Sequence, residues 1–481
     1  MGMASAMKMT EEDRIVNFIY ICIDTLRYDH LSCNGNDWIK TPNFEAFARE
    51  AVIFDNSYAG SFPTIPHRTD TITGRFGRPL HPWQPLAFDA VTLPHILGEA
   101  GWATALICDT PHLINGGHAF DFPFHAWHFE RGNEVDRHLL DDRDDYYKAL
   151  RGTWPASKTY LQYMRNNRYR SLEEEWPSPR TFKAAGDFVE MCRNRDKFFF
   201  WVDTFDPHEP WDPPAHYVEL YDDTDCCAEH PLMGWEPMDS LTPEQFRHVK
   251  AHYAGEVTMV DHHLGRFLDR LADSGRDSDT VVMITCDHGT NLGSHGNLHK
   301  SQPIYDQVGH LVMMVRMPGV KPGRRSGIVQ PADTMPTILE LAGLEVPETC
   351  QGKSFADVIT GEKDECRDVA VSGGAVNPDA PRAMLTVQDK RWCLIDHTDP
   401  SNRELYDKQS DPEEEHNVMA EHAEEASRLH QAALDFLKSH EAHESIVQWF
   451  ETGEKGNTST YQQMPPRPSG YHAYWQDILG A

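Results

Sequence analysis

No apolar run in this chain of 481 residues is long enough to cross a bilayer. The first such run, residues 15–23, has only the length of a strand. The segment before it, Met1 to Arg14, is polar and charged and lacks the apolar core of a signal peptide. The expected location is the cytoplasm, with no membrane partner. Positive charge is also scarce: 44 Lys and Arg stand against 75 Asp and Glu, a net charge of −31. That field repels a polyanion on average, so no nucleic-acid partner is expected, although a local basic pocket for a small anion is compatible with it. The ten cysteines are scattered, with no spacing of a zinc site. Cys22, Cys108 and Cys286 fall in predicted strands and read as core thiols; Cys226-Cys227 lies in an acidic loop. No internal repeat is present.

What is there alternates between strands and helices. Residues 16–24 (VNFIYICID), 103–109, 198–204, 280–286 and 311–316 read as buried strands, and residues 52–58 as extended. Between them the pattern predicts helices over 41–50 (Thr41 as cap, Pro42 first), from Pro66 to Gly74, and over 93–101, 182–193, 243–274 and 332–342. This order predicts an α/β fold, a large mostly parallel sheet with helices on both faces. The ligand site of such a sheet lies beyond the carboxyl ends of its strands. After about residue 345, short alternating segments (368–371, 384–387, 391–395) and a helix over about 412–440 predict a smaller α+β subdomain. The expected divisions are a catalytic domain over 15–345, with an insertion over about 128–177, a subdomain over 346–445, and a tail over 446–481. The tail is rich in Pro, Gly, Tyr and Gln and reads either as a disordered segment or as an oligomerisation arm that packs on a neighbour; a homo-oligomer is expected.

Several side chains at or after strand ends carry chemistry. Asp24 closes one apolar strand, and Asp287-His288-Gly289 closes another. A carboxylate there is costly to bury unless paired or metal-bound. Two acids and one imidazole suit a divalent cation. Thr64, in the segment 61–68 (SFPTIPHR), precedes Pro66 and belongs at a helix N-terminus, where an anionic ester is favoured. Arg68, one turn on, can offer two donors to an anionic oxygen. His112 and His208 follow two other strands and are candidate proton donors. Lys300, after Gly293-Ser294-His295-Gly296, can neutralise developing negative charge.

These residues resemble the sulfatase family of the alkaline phosphatase superfamily, over about residues 17–417. The landmarks come in the family's order: Thr41-Pro42-Asn43-Phe44, Thr64-Ile65-Pro66-His67-Arg68 with Thr73-Gly74, Asp206-Pro207-His208, Asp287-His288-Gly289, Pro336-Thr337-Ile338-Leu339, and Glu404-Leu405-Tyr406-Asp407 with Asp411-Pro412. The resemblance implies an alkaline phosphatase-like fold. It also implies one divalent metal ion (Mn, Ca or Zn) held by Asp24, Asp287 and His288 and touched by Thr64. Arg68, His112, His208 and Lys300 would then surround the transferred group. Three positions depart from the pattern. The family's nucleophile is a Cys or Ser oxidised to formylglycine, and Thr64 is neither, so no formylglycine is expected. The usual second aspartate after Asp24 is Thr25, and the usual lysine two residues before His112 is Thr110. A hydrated aldehyde releases sulfate by breaking a C–O bond, whereas a threonine ester must be attacked again at its central atom. Phosphorus esters permit two such displacements. The expectation is therefore hydrolysis of a small anionic ester, a phosphodiester or phosphonate monoester, with Thr64 as nucleophile. The alternatives are a sulfuric ester hydrolase without formylglycine, a membrane-anchored type of transferase, and a non-catalytic anion- or partner-binding relative.

Overall fold

The computed structural model describes residues 17–114, 117–143, 158–222, 238, 241–377 and 380–456. The segment before Asn17, the Cys226-Cys227 pair, residues 144–157 of the expected insertion and residues 457–481 of the tail lie outside them. Among the described residues no helix is long and apolar enough to cross a membrane.

Among the described residues fourteen strands form three sheets. In chain order they are β1 (Asn17–Ile23), β2 (Val52–Ser57), β3 (Ala103–Cys108), β4 (Ala126–Phe129), β5 (Phe198–Thr204), β6 (Thr280–Cys286), β7 (Asn291–Leu292), β8 (Leu298–His299), β9 (Met313–Arg316), β10 (Gly323–Val329), β11 (Ala370–Ser372), β12 (Met384–Gln388), β13 (Trp392–His397) and β14 (Glu404–Asp407). The main sheet has eight strands in the order β10-β2-β9-β6-β1-β5-β3-β4. All its pairings are parallel except those of β9, which runs against β2 and β6.

The central strands are continuous apolar runs because both their faces are covered. β1, β5 and β6 are buried along their whole length. Alternate side chains of β1 serve two cores: Ile19, Ile21 and Ile23 pack with the helices Pro177–Met191 and Pro243–Asp273, while Phe18, Tyr20 and Cys22 pack with Leu93–Glu99 and Thr334–Leu341. The register sets the site. Ile23 is level with Thr204 on one side and Cys286 on the other. Asp24 and Asp287 therefore leave adjacent strands at the same height.

The second sheet, β11-β12-β13-β14, is antiparallel and packs against the helix Ala423–Ser439. It also joins the first unit directly. Its core includes Phe76, Leu80 and Ala332, and Gly373 exchanges backbone hydrogen bonds with Gly60 and Phe62 just before Thr64 (3.0 and 2.9 Å).

Several expected boundaries move, each for a local reason. The helix after Pro63 begins at Thr64 rather than Pro66, since proline is tolerated in a first turn. Thr41 does not cap its helix: its hydroxyl bonds Ser32, and Asp261, from the long helix, accepts the N–H groups of Asn43 (3.0 Å) and Phe44 (2.8 Å) instead. The last long helix begins at Ala423, not near Pro412. Residues before it are drawn into tertiary bonds: Glu414 accepts from the Asp306 N–H (2.8 Å) and Asn417 from that of Leu405 (3.1 Å). The region expected as an insertion contains part of β4, the edge strand beside β3. β10, with its Gly-Arg-Arg-Ser start, was not expected; it is the opposite edge strand, polar where it begins.

Candidate active site

Strand ends converge on a buried ionic cluster. Asp24 and Thr25 follow β1, and Asp287 and His288 follow β6; all four are buried. Thr25 occupies the left-handed region (φ 64°), which a β-branched residue adopts only under constraint. Its hydroxyl donates to Asp24 Oδ1 (2.8 Å) and its N–H to Asp287 Oδ1 (3.1 Å). It thus ties the two carboxylates together where the family carries a further acid.

Arg68 sits in the middle with no exposed surface. Its Nη1 donates to Asp287 Oδ2 (2.5 Å) and to the Thr64 carbonyl (3.2 Å). Nη2 donates to Asp24 Oδ2 (3.2 Å), and Nε and Nη2 together grip Asp203 (2.9 and 2.8 Å). The expected pair of donors for a substrate oxygen is therefore spent on carboxylates. Asp203, the sixth residue of β5, escaped the sequence reading; an acid inside the apolar run FFFWVDT was its only signal. It also accepts from Thr110 Oγ1 (2.6 Å) and Trp201 Nε1 (3.0 Å). Thr110, standing where the family has a lysine, thus orients an acid.

His288 donates from Nδ1 to the Gly289 carbonyl (2.8 Å). Burial lowers its pKa to about 4. The neutral ring then carries its lone pair on Nε2, which has no hydrogen-bond partner and lies 3.8 Å from Asp24 Oδ1 and 3.6 Å from Asp287 Oδ2. Burial and the neighbouring charge of Asp287 push Asp24 well up. Burial acts the same way on Asp287, but His288 and Arg68 outweigh it and hold that group well down. Three carboxylates face one guanidinium, so a divalent cation brings the cluster to neutrality. The donor atoms of Asp24, Asp287 and His288 all lie within 4.8 Å of one another. Two hard oxygens and one imidazole, whose Nε2 is orphaned, fit such a cation.

Thr64 is the first residue of its helix. Its hydroxyl is buried and has no hydrogen-bond partner, capping nothing. His67, one turn on, is also buried with both ring nitrogens unpartnered; burial pulls it to about 3. The sequence motif that runs from Thr64 to Arg68 contains it, but sequence reasoning gave it no role.

The remaining expected residues form a second group. His208 donates from Nδ1 to the Glu209 carbonyl (2.6 Å), stacks on Phe205, and has Nε2 against Lys300 Nζ. Lys300 is carried in by the β7–β8 hairpin and also faces Glu209 Oε1 (3.7 Å). Glu209 is fully desolvated, yet His208 and Lys300 hold it well below the carboxylate range. His112 Nε2 lies 2.8 Å from Glu134 Oε2. Burial would raise Glu134, but His112 outweighs it, with lesser help from His208 and Lys300, so these residues share one electrostatic neighbourhood. Glu134 and Glu209 also went unrecognised, because an isolated acid in a loop carries no periodic signal.

The family model described as "Sulfatase" matches residues 16–344, and that described as "N-sulphoglucosamine sulphohydrolase, C-terminal" matches residues 293–438. An arylsulfatase of Clostridium perfringens (strain 13 / Type A) is 25% identical over 478 residues, spanning 92% of this chain and 96% of that protein. The multifunctional alkaline phosphatase superfamily protein PehA of Trinickia caryophylli is 25% identical over 408 residues, 70% of this chain and 76% of that protein. Among solved structures, the phosphonate monoester hydrolase SpPMH from Silicibacter pomeroyi superposes with a TM-score of 0.70 at 23% identity, covering 89% of this chain and 96% of its own. The chain belongs to the sulfatase family, hydrolases that act on ester bonds.

Proposed function

We propose that the chain hydrolyses phosphodiester or phosphonate monoester bonds with Thr64 as the nucleophile. The observation that carries this reading is the Thr64 hydroxyl, buried and unpartnered at a helix start, one turn from the guanidinium that grips Asp24 and Asp287. A secondary alcohol is not a precursor of an aldehyde nucleophile, so turnover requires two displacements at the central atom. Asp24, Asp287 and His288, with Thr64 beside them, would hold the divalent cation, which supplies charge neutralisation and a lower hydroxyl pKa.

In the first displacement the Thr64 hydroxyl releases its proton to solvent and its oxygen forms a bond to phosphorus as the ester oxygen leaves. The leaving oxygen takes a proton from Lys300, which His208 and Glu209 orient, or from His112, which Glu134 orients. Water then attacks the same phosphorus, giving a proton back to the Lys300 or His112 that protonated the leaving oxygen, while the bond to Thr64 breaks and the threonine oxygen regains a proton from solvent. Arg68 keeps the carboxylates aligned through both steps. The positions of Thr25 and Thr110 support a substrate of low charge, since each contributes a neutral hydroxyl where the family carries a charge.

The arylsulfatase relative favours a second reading, sulfuric ester hydrolysis with Thr64 positioning a water. A panel of nitrophenyl sulfate, phosphate monoester, phosphodiester and phenylphosphonate, assayed with Mn, Ca, Zn and Mg, separates the two. The phosphodiester or phosphonate is expected to give the highest kcat/KM. Thr64→Ala is expected to lower that rate by about 10³-fold or more, the scale of losing a nucleophile. Sulfate as best substrate, or an unchanged rate in Thr64→Ala, overturns the proposal; no turnover at all favours a binding protein.

A further inference from the structure

A second cluster of metal-ligating side chains lies apart from the active site. Glu173, in the turn Glu173–Glu175 that precedes the helix Pro177–Met191, is ringed by three imidazoles. His263, buried on the long helix Pro243–Asp273, has Nε2 2.7 Å from Glu173 Oε1. His262, the next residue toward the N-terminus, is exposed, and its ring lies 5.0 Å from that of His263 at 86°. Donor atoms of Glu173, His262 and His263 fall within 4.8 Å of one another. His216, on the short helix Ala215–Val218, brings Nε2 to 3.2 Å from Glu173 Oε2.

We propose that Glu173, His216, His262 and His263 form a second metal site, for a zinc-class divalent transition ion. Three imidazoles and one carboxylate are the N and O donors such ions take in four-coordinate sites, and they are too rich in nitrogen for Ca or Mg. Tetrahedral ligation at ordinary zinc distances needs donors roughly 3.3 Å apart. The His216 to Glu173 separation already meets this, the His263 contact opens by about 0.6 Å, and the exposed His216, which stands outside the group of three donors within 4.8 Å, turns toward the two histidines to complete the set. The ion takes the place of the proton that His263 Nε2 now directs at Glu173 Oε1. The Tyr217 hydroxyl donates to Glu173 Oε1 (2.8 Å) and fixes the orientation of the carboxylate. The ion ties together three separate elements. One of them, Ala215–Val218, lies just beyond the segment that carries His208 and Glu209. The role assigned is structural: a clamp on that side of the catalytic pocket.

The test compares full-length wild type with the double variant His216→Ala/His262→Ala, whose side chains are exposed in the fold. Each protein is stripped with chelator, dialysed against Zn²⁺ and analysed for bound metal. Wild type is expected to hold one more equivalent than the double variant, while Asp24→Asn loses a different equivalent and keeps this one. Loaded with Co²⁺, wild type is expected to show a tetrahedral visible absorption that the double variant loses. If the double variant does not fold, His262→Gln alone is used with the same readouts. Equal zinc content in wild type and variant, or a Co²⁺ spectrum that does not change, overturns the site.

Discussion

A guanidinium with no exposed surface, held between Asp24, Asp203 and Asp287, leaves no slack for changes in charge. Asp203→Asn tests its role most cleanly, because the side chain keeps its shape. The amide offers one acceptor where the carboxylate met Arg68, Thr110 and Trp201, and its NH₂ confronts donors. Removing one partner of a buried ion pair costs about 3–5 kcal/mol. Urea denaturation of Asp203→Asn is expected to show a loss near the lower end of that range. Turnover should also fall, and more added metal should be needed to reach it, as Arg68 pulls harder on Asp24 and Asp287. Unchanged stability and activity would show that Asp203 is a bystander. The residue illustrates what a sequence yields at this scale. Asp24 and Asp287 were legible because each ends an apolar run. Asp203 sits inside one, where the only clue is an acid that a buried strand should not contain.

The segment joining β14 to the last long helix places Glu414, which is fully buried, against the backbone of Asp306, whose side chain is partly buried. Burial and the Asp306 charge raise the Glu414 pKa from 4.5 to about 7. The sign follows from proton counts. Between about pH 4.5 and 7 the folded chain holds a proton that the unfolded chain has released. This contribution to stability is therefore full below the unfolded pKa, declines as pH rises, and is gone above about 7. Its slope is at most about 1.4 kcal/mol per pH unit. Glu414→Gln keeps the acceptor and removes the titration. The melting-temperature difference between variant and wild type is expected to move in the variant's favour from pH 5 to 7.5; a constant difference would sink the idea. This same segment is where the periodicity misled. Residues 412–422 are acidic and helix-compatible, yet tertiary hydrogen bonds at Glu414 and Asn417 outweigh local propensity. The strands β5 and β6 were legible to the residue because each holds a run of consecutive apolar residues, Phe198 to Val202 and Val281 to Ile284, whereas β10 begins with residues that belong at an edge and carry no such signal.

Across the whole molecule, a change of pattern near residue 345 invites separation of the chain into two units, but the contacts across it argue that neither part is complete alone. The smaller sheet buries Val371, Leu385, Val387, Leu394 and Leu405 in a core that includes Phe76, Leu80 and Ala332. At ~1.5–3 kcal/mol per buried side chain, those five contribute on the order of 10 kcal/mol, as much as the net stability of an ordinary domain. The same junction holds the backbone of Gly60 and Phe62, two to four residues before Thr64, against Gly373, while Gln330 Nε2 reaches the Val371 carbonyl (2.9 Å). A chain ended after Glu345 is therefore expected to be recovered aggregated, or to bind a hydrophobic dye and melt without a cooperative transition. A soluble fragment with a sharp transition and wild-type esterase activity would refute this. A milder probe leaves the chain whole. A Cβ at Gly373 would stand 3.1 Å from Leu80 and 3.2 Å from Leu385, so Gly373→Val must push the smaller sheet away from the nucleophile segment. Overpacking of this kind costs about 1–3 kcal/mol. If the second sheet positions Thr64, kcat should fall further than that loss of stability explains, with the protein still folded at the assay temperature. A Gly373→Val enzyme that is less stable yet turns over at the wild-type kcat would assign the smaller sheet to stability alone.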